Sequence, residues 1–190
     1  MSTHTTPTIL LVPGLRDHVP QHWQTLLEAR LPNARSVAPL EHNKLDRAAR
    51  VAALNDALTA IDGPVILVAH SAGAMITVHW ALQASAERLR QIHGALLATP
   101  ADLDTPMPAG YPDRDTLGDN GWLPIPSARL PFPSILAASS NDPLCSPARA
   151  AAMANDWGSR YHALGAVGHL NPAAGYGEWP DAEALIRELY

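Results

Sequence analysis

The chain has a single cysteine, Cys145, among 190 residues. No intrachain disulfide can form, and the composition fits a reducing compartment. It has no excess of basic residues: 13 Lys and Arg stand against 18 Asp and Glu, for a formal charge of -5. That removes the electrostatic footprint of a nucleic-acid binder. The charges are scattered, as on a solvated surface. No apolar run approaches the length of a membrane span; the first, Ile9 to Val12, is far too short. Residues Met1 to Pro7 lack the basic start of a signal peptide. A cytoplasmic protein, with no nucleic-acid or membrane partner, is therefore expected. Histidines with the H-E-x-x-H spacing of a zinc site are missing. So are the G-x-x-x-x-G-K-[ST] phosphate loop and the G-x-G-x-x-G dinucleotide turn. No metal and no cofactor are expected. There is no internal repeat, low-complexity run or linker, so residues 1–190 read as one domain. At 47% hydrophobic residues it is large enough to bury a two-sided sheet.

What is present alternates between strand and helix. Ile9–Val12 is a continuous apolar run closed by Pro13-Gly14, the pattern of a strand buried on both faces. Trp23, Leu26, Leu27 and Leu31 form a helical stripe ended by Pro32, and Ser36–Ala38 reads as a second strand. Leu45 to Ile61 is an amphipathic helix, broken by Asp62-Gly63-Pro64. Strands follow at Val65–His70, Gly94–Ala98, Ser134–Ala138 and Tyr161–Leu164. Helices follow Ser71, run from Pro147 to Trp157 with proline in the first turn, and close the chain from Asp181 to Tyr190. This order predicts an α/β fold, a three-layer sandwich of about six parallel strands with helices on both faces. The irregular stretch is 99–133, rich in proline. Long irregular loops are usually functional or mobile. Tyr111 and Trp122 are its candidate apolar walls over a site; the same features fit a surface loop stapled by aromatics.

The chemistry centres on Val65–Ala74, an apolar strand running into His70-Ser71-Ala72-Gly73 before a helical pattern. This is the layout of a nucleophile elbow, where small residues two before and two after the serine let strand and helix meet closely. Ala69 replaces the usual first glycine. An ordinary N-cap serine fits the same residues. Other strand ends carry the rest: Ser139-Ser140-Asn141-Asp142-Pro143 follows one, and Gly168-His169-Leu170-Asn171 another. Ligands of open α/β sheets bind at these carboxyl ends. The order Ser71, Asp142, His169 is that of α/β-hydrolase triads. Ser71 is then the nucleophile, His169 the general base and acid, and Asp142 the group fixing the imidazole tautomer. Asp102, after the fourth strand, is the rival carboxylate. The N–H of Ala72 and that of Leu15, with Arg16 as the alternative, are the candidate oxyanion donors. His70, His18 and His22 read as packing or hydrogen-bonding residues, and Cys145 as a small buried residue near the Asp142 turn.

Together, Val12-Pro13-Gly14-Leu15 with Gln21-His22-Trp23, Val68 to Gly73, Ser139 to Pro143, Gly168 to Asn171 and Gly175 to Pro180 resemble the small serine-hydrolase family of YdeN and the retinoblastoma-binding-protein hydrolases. The resemblance runs from Ile9 to the closing helix. It implies a minimal α/β-hydrolase fold: six parallel strands, no helical cap domain, and a triad on Ser71, Asp142 and His169. The L-x-C-x-E motif is absent around Cys145, so a retinoblastoma-type partner is not implied. The expected activity is hydrolysis of a small ester, thioester or activated amide through an acyl-serine, in a narrow site for short acyl groups. A binding protein on a hydrolase scaffold, or an acyl transferase, would keep the same residues.

Overall fold

The computed structural model describes residues 6–190. Residues 1–5, part of the segment read above as lacking a signal, lie outside it. Six strands form one sheet: β1 (Thr8–Val12), β2 (Ala34–Ser36), β3 (Val65–His70), β4 (Ile92–Ala98), β5 (Ser134–Ser139) and β6 (Arg160–Gly165). Every pair is parallel, in the order β2-β1-β3-β4-β5-β6. The helices are α1 (Trp23–Arg30), α2 (Arg47–Thr59), α3 (Ala72–Gln83), α4 (Ala86–Gln91), α5 (Arg114–Asp119), α6 (Pro147–Trp157) and α7 (Asp181–Arg187). No helical cap domain is inserted among the described residues. Among the described residues, no helix is long and apolar enough to cross a membrane.

Because strand side chains alternate between faces, each central strand feeds two cores. Leu10, Val12, Leu67, Leu97 and Leu136 pack with Val51 and Leu54 of α2, Met75 and Val78 of α3, and Met153 and Trp157 of α6. Ile9, Leu11, Ile66, Leu96 and Ile135 pack on the other face with Trp23 and Leu27 of α1 and Leu185 and Ile186 of α7. The continuous apolar runs thus reflect burial on both sides. The second strand lies two residues earlier than expected, since pairing with β1 sets Ile9 against Ala34. The six-residue α4 was not anticipated; none of its residues is buried, so it carries no apolar stripe.

The sheet order reverses between β1 and β3. Gly73 sits so close to β1 that an added Cβ would collide with the Val12 carbonyl oxygen and lie 2.9 Å from that of Pro13. A side chain at this position therefore has no room. Gln24, buried on α1, ties the same two strands by donating its Nε2–H to Val68 O at 2.9 Å and Val12 O at 3.4 Å.

The 99–133 stretch is less irregular than its prolines suggest. It contains α5, capped by Asp113, and it folds back so that Leu103, Leu117, Trp122, Leu130 and Phe132 join the larger core.

Candidate active site

Ser71 follows β3 and precedes α3, with φ 57° and ψ −123°. A non-glycine residue at such angles stores about 1–3 kcal/mol of strain. Its N–H donates to Ala98 O of the neighbouring strand at 3.1 Å. Its side chain caps nothing on α3, unlike an N-cap serine, whose oxygen accepts from the first turn. The hydroxyl instead lies 2.8 Å from His169 Nε2. On the far side of the ring, His169 Nδ1 is 2.9 and 3.0 Å from the two carboxylate oxygens of Asp142. With Nδ1–H donating to the carboxylate, Nε2 is left to accept the serine proton. Both partner side chains are almost wholly buried, His169 at 7% exposure and Asp142 at 2%.

The loops carrying these groups are pinned to one another. Asn141 Oδ1 accepts from Gly168 N at 2.7 Å and from Ser139 Oγ, which itself accepts from Val167 N. The carbonyl of His169 accepts from His70 Nε2 at 2.9 Å and from Thr99 Oγ1 at 3.5 Å. His70, beside Ser71, thus holds the histidine loop, the hydrogen-bonding role that the sequence offered for it beside packing. Asn141 was not singled out in the sequence; its place beside Asp142 was the only signal.

Three imidazoles cluster here, tilted against one another. His70 lies 4.6 Å from His22 and 5.0 Å from His169, ring centre to ring centre. Burial drives the His70 pKa well below its ordinary 6.5, with the neighbouring histidines adding to the effect. Burial, then His169, pushes His22 down to about 4. His22 Nδ1 accepts from Gln24 N and so caps α1. An unfolded chain protonates His22 near pH 6.5, the folded chain only near 4. Between those values the unfolded state holds more protons, so stability falls as pH drops through that window. Replacing His22 by Asn keeps a capping acceptor, the amide oxygen in place of Nδ1, and removes the titration. We expect the fall in Tm between pH 7 and 4 to be shallower in His22→Asn than in wild type; parallel curves would refute the assignment.

Gly14 lets the turn after β1 lie against the serine: an added Cβ would stand 3.3 Å from Ser71 Cβ and 3.7 Å from its Oγ. Leu15 and Arg16 of this turn, and Ala72, line the same cavity. Ala72 is the first residue of α3, a position whose N–H has no partner within the helix.

That cavity is about 440 Å³ and contains both Ser71 and His169 in its lining. Leu45, Leu103, Met107, Tyr111 and Leu144 make its walls mainly apolar. Tyr111 is thus on the wall. Trp122, expected beside it, is not: it is fully buried behind the wall, and its Nε1–H donates to the carbonyl of Leu45 at 2.6 Å. An aromatic ring in a proline-rich loop finds more apolar area by folding inward than by facing the cavity. Asp102 is likewise elsewhere, held by Arg149 at 2.9 and 3.1 Å rather than by His169. Cys145 is buried as expected, and burial, with nearby Asp102 and Asp142, pushes its thiol up to about 12. It is no nucleophile at neutral pH.

A family model described as serine hydrolase matches residues 9–188. A structure described as a YdeN-like hydrolase from Pectobacterium atrosepticum is 34% identical, covering 96% of this chain and 88% of that one, with a TM-score of 0.77. The ydeN gene product of B. subtilis is 15% identical over 97% of this chain and 98% of that one, with a TM-score of 0.68. A thermophilic esterase from Thermogutta terrifontis shares the fold at 15% identity, covering 97% and 91% of the two chains, with a TM-score of 0.61. No curated protein matches the chain.

Proposed function

Since the chain belongs to the serine hydrolase family, we propose that it cleaves a carboxylic ester, thioester or activated amide through an acyl-serine on Ser71. The observation that carries this reading is the unbroken relay of Ser71 Oγ, His169 and Asp142 at 2.8, 2.9 and 3.0 Å on a strained elbow. Ser71 Oγ attacks the substrate carbonyl carbon while His169 Nε2 takes its proton. The carbonyl oxygen becomes an oxyanion facing the N–H groups of Ala72 and Leu15. Collapse expels the alcohol, thiol or amine, protonated by His169. Water then attacks the acyl-serine, with His169 as base, and releases the acid. Asp142 keeps Nδ1 protonated and stabilises the imidazolium.

The cavity supports a substrate class. Its volume of about 440 Å³ lies within the range of small-molecule pockets, about 300–1,000 Å³. That moves the reading from a narrow site for short acyl groups to one with room for an apolar acyl chain longer than acetyl, against Leu103, Met107 and Tyr111.

The test is a fluorophosphonate probe on the wild-type protein, with mass mapping of the adduct, beside a series of p-nitrophenyl esters from acetyl to octanoyl. We expect one adduct, on Ser71, and a kcat/KM that rises beyond acetyl. A folded protein that takes no adduct and hydrolyses none of the esters would point instead to a binding protein on a hydrolase scaffold.

A further inference from the structure

Arg50 is a charged side chain in an unusual place. It lies on the inner side of α2 and is 5% exposed, where an arginine is rarely found unless paired. It does not line the cavity over Ser71. Its acceptors do. Nη2–H donates to Leu15 O at 3.1 Å, Nε–H donates to Lys44 O at 2.8 Å, and Nη1–H meets the Asp17 carboxylate. Leu15, Asp17 and Lys44 are all cavity residues. Lys44 Nζ closes the cluster on Asp17 Oδ2 at 3.3 Å.

These bonds fix the two peptide planes that carry the candidate oxyanion donors. In a trans peptide the C=O of one residue and the N–H of the next point in opposite directions. The Gly14 carbonyl accepts from Asp17 N at 3.0 Å, which sets the direction of the Leu15 N–H. The Leu15 carbonyl accepts from Arg50, which sets that of the Arg16 N–H. Asp17 closes this turn with φ 53°, a left-handed conformation that Asp tolerates, and its carboxylate is tied back to Arg50. Without the guanidinium, the Leu15–Arg16 peptide loses the bond that keeps its carbonyl turned toward α2. A flipped peptide would turn that oxygen toward the cavity, beside the Leu15 N–H that faces the developing oxyanion.

We propose that Arg50, with Asp17, is a positioning residue for the oxyanion turn of this enzyme. It touches no substrate and acts through the Leu15–Arg16 peptide. Fold stability is a poorer account of it, since buried ion pairs contribute little net stability compared with apolar residues. This inference rests on the hydrolase reading above.

The experiment compares wild type, Arg50→Ala and Asp17→Asn in p-nitrophenyl ester hydrolysis, in affinity for a boronic acid analogue of the tetrahedral intermediate, and in Tm. Asp17→Asn retains the tolerance for left-handed backbone and removes only the charge. In Arg50→Ala we expect kcat to fall about 100-fold, the scale of one lost oxyanion donor, with KM within about twofold. Boronate affinity should fall in parallel, and guanidinium ion in the buffer should restore part of the rate. Asp17→Asn should show the same pattern at about tenfold. If Arg50→Ala does not fold, Asp17→Asn decides. Folded variants with wild-type kcat, or a loss confined to KM, would overturn the positioning role alone. A wild type that neither labels at Ser71 nor turns over would overturn the hydrolase reading, and this inference with it.

Discussion

Replacing Ser71 by alanine is expected to lower kcat for ester hydrolysis by about 10⁶-fold, the loss seen when the nucleophile of such a relay is removed. Tm should stay at the wild-type value. The two readouts together separate the two meanings of this serine. At an ordinary N-cap, removing the hydroxyl costs about 1 kcal/mol because an orphan N–H of the first turn loses its acceptor. Ser71 makes no such bond; its hydroxyl faces His169 at 2.8 Å. The backbone bond from Ser71 N to Ala98 O survives the change, and alanine at φ 57° bears the same strain. The folded state loses one hydrogen bond at the cavity wall and nothing that starts α3. A residual rate within about tenfold of wild type would mean that another group attacks the ester, and a clear drop in Tm would return Ser71 to a capping role.

Much of this was legible in the sequence because the features concerned are local. Pro147, set in a helix's first turn, and Trp157 mark the ends of α6, and the helix runs between them. The elbow is legible because a sharp strand-to-helix turn demands small residues at fixed distances from the serine, and Gly73 against the Val12 and Pro13 carbonyls shows why. Asp142 follows β5, whose apolar run is continuous enough to recognise; the edge strand before His169 is largely exposed, and the Gly168-His169 loop beyond it carried the signal. What was not legible depends on contacts across the fold. Arg50 sits within an amphipathic helical pattern as a polar residue at an unremarkable position, and only the return of the 14–17 turn across α2 makes it a buried clamp. Trp122 and Tyr111 are near neighbours in the same loop, yet one is core and the other cavity wall. That partition is set by how the loop packs on α3, where His79 donates to Trp122 O, and no periodicity encodes it.

The choice between the two buried carboxylates leads to the second large effect. Asp142→Asn should lower kcat by about 10⁴-fold at nearly unchanged KM, as the loss of the orienting carboxylate does in a serine relay. Asp142 Oδ1 serves both Leu144 N and His169 Nδ1 at 2.9 Å, and Oδ2 serves Nδ1 at 3.0 Å. Asparagine has one oxygen for these positions. If Leu144 keeps it, an amide N–H faces Nδ1, the ring shifts to the Nε2–H tautomer, and Nε2 donates toward Ser71 instead of accepting from it. The base is then lost without any change in packing. Asp102→Asn should do the opposite. Burial pushes that carboxyl up, but Arg149 and Thr105 outweigh it and hold it below its ordinary value. Its bonds to Arg149 Nε and Nη2, Thr105 Oγ1 and Asp104 N bind the start of the 99–133 segment to α6. Asparagine there should lower Tm and leave kcat within about tenfold, since the group never meets His169 and only structural bonds are weakened. A mild Asp142→Asn beside a crippled but folded Asp102→Asn would transfer the orienting role to Asp102, and would require His169 to move away from the Asp142 turn when substrate binds.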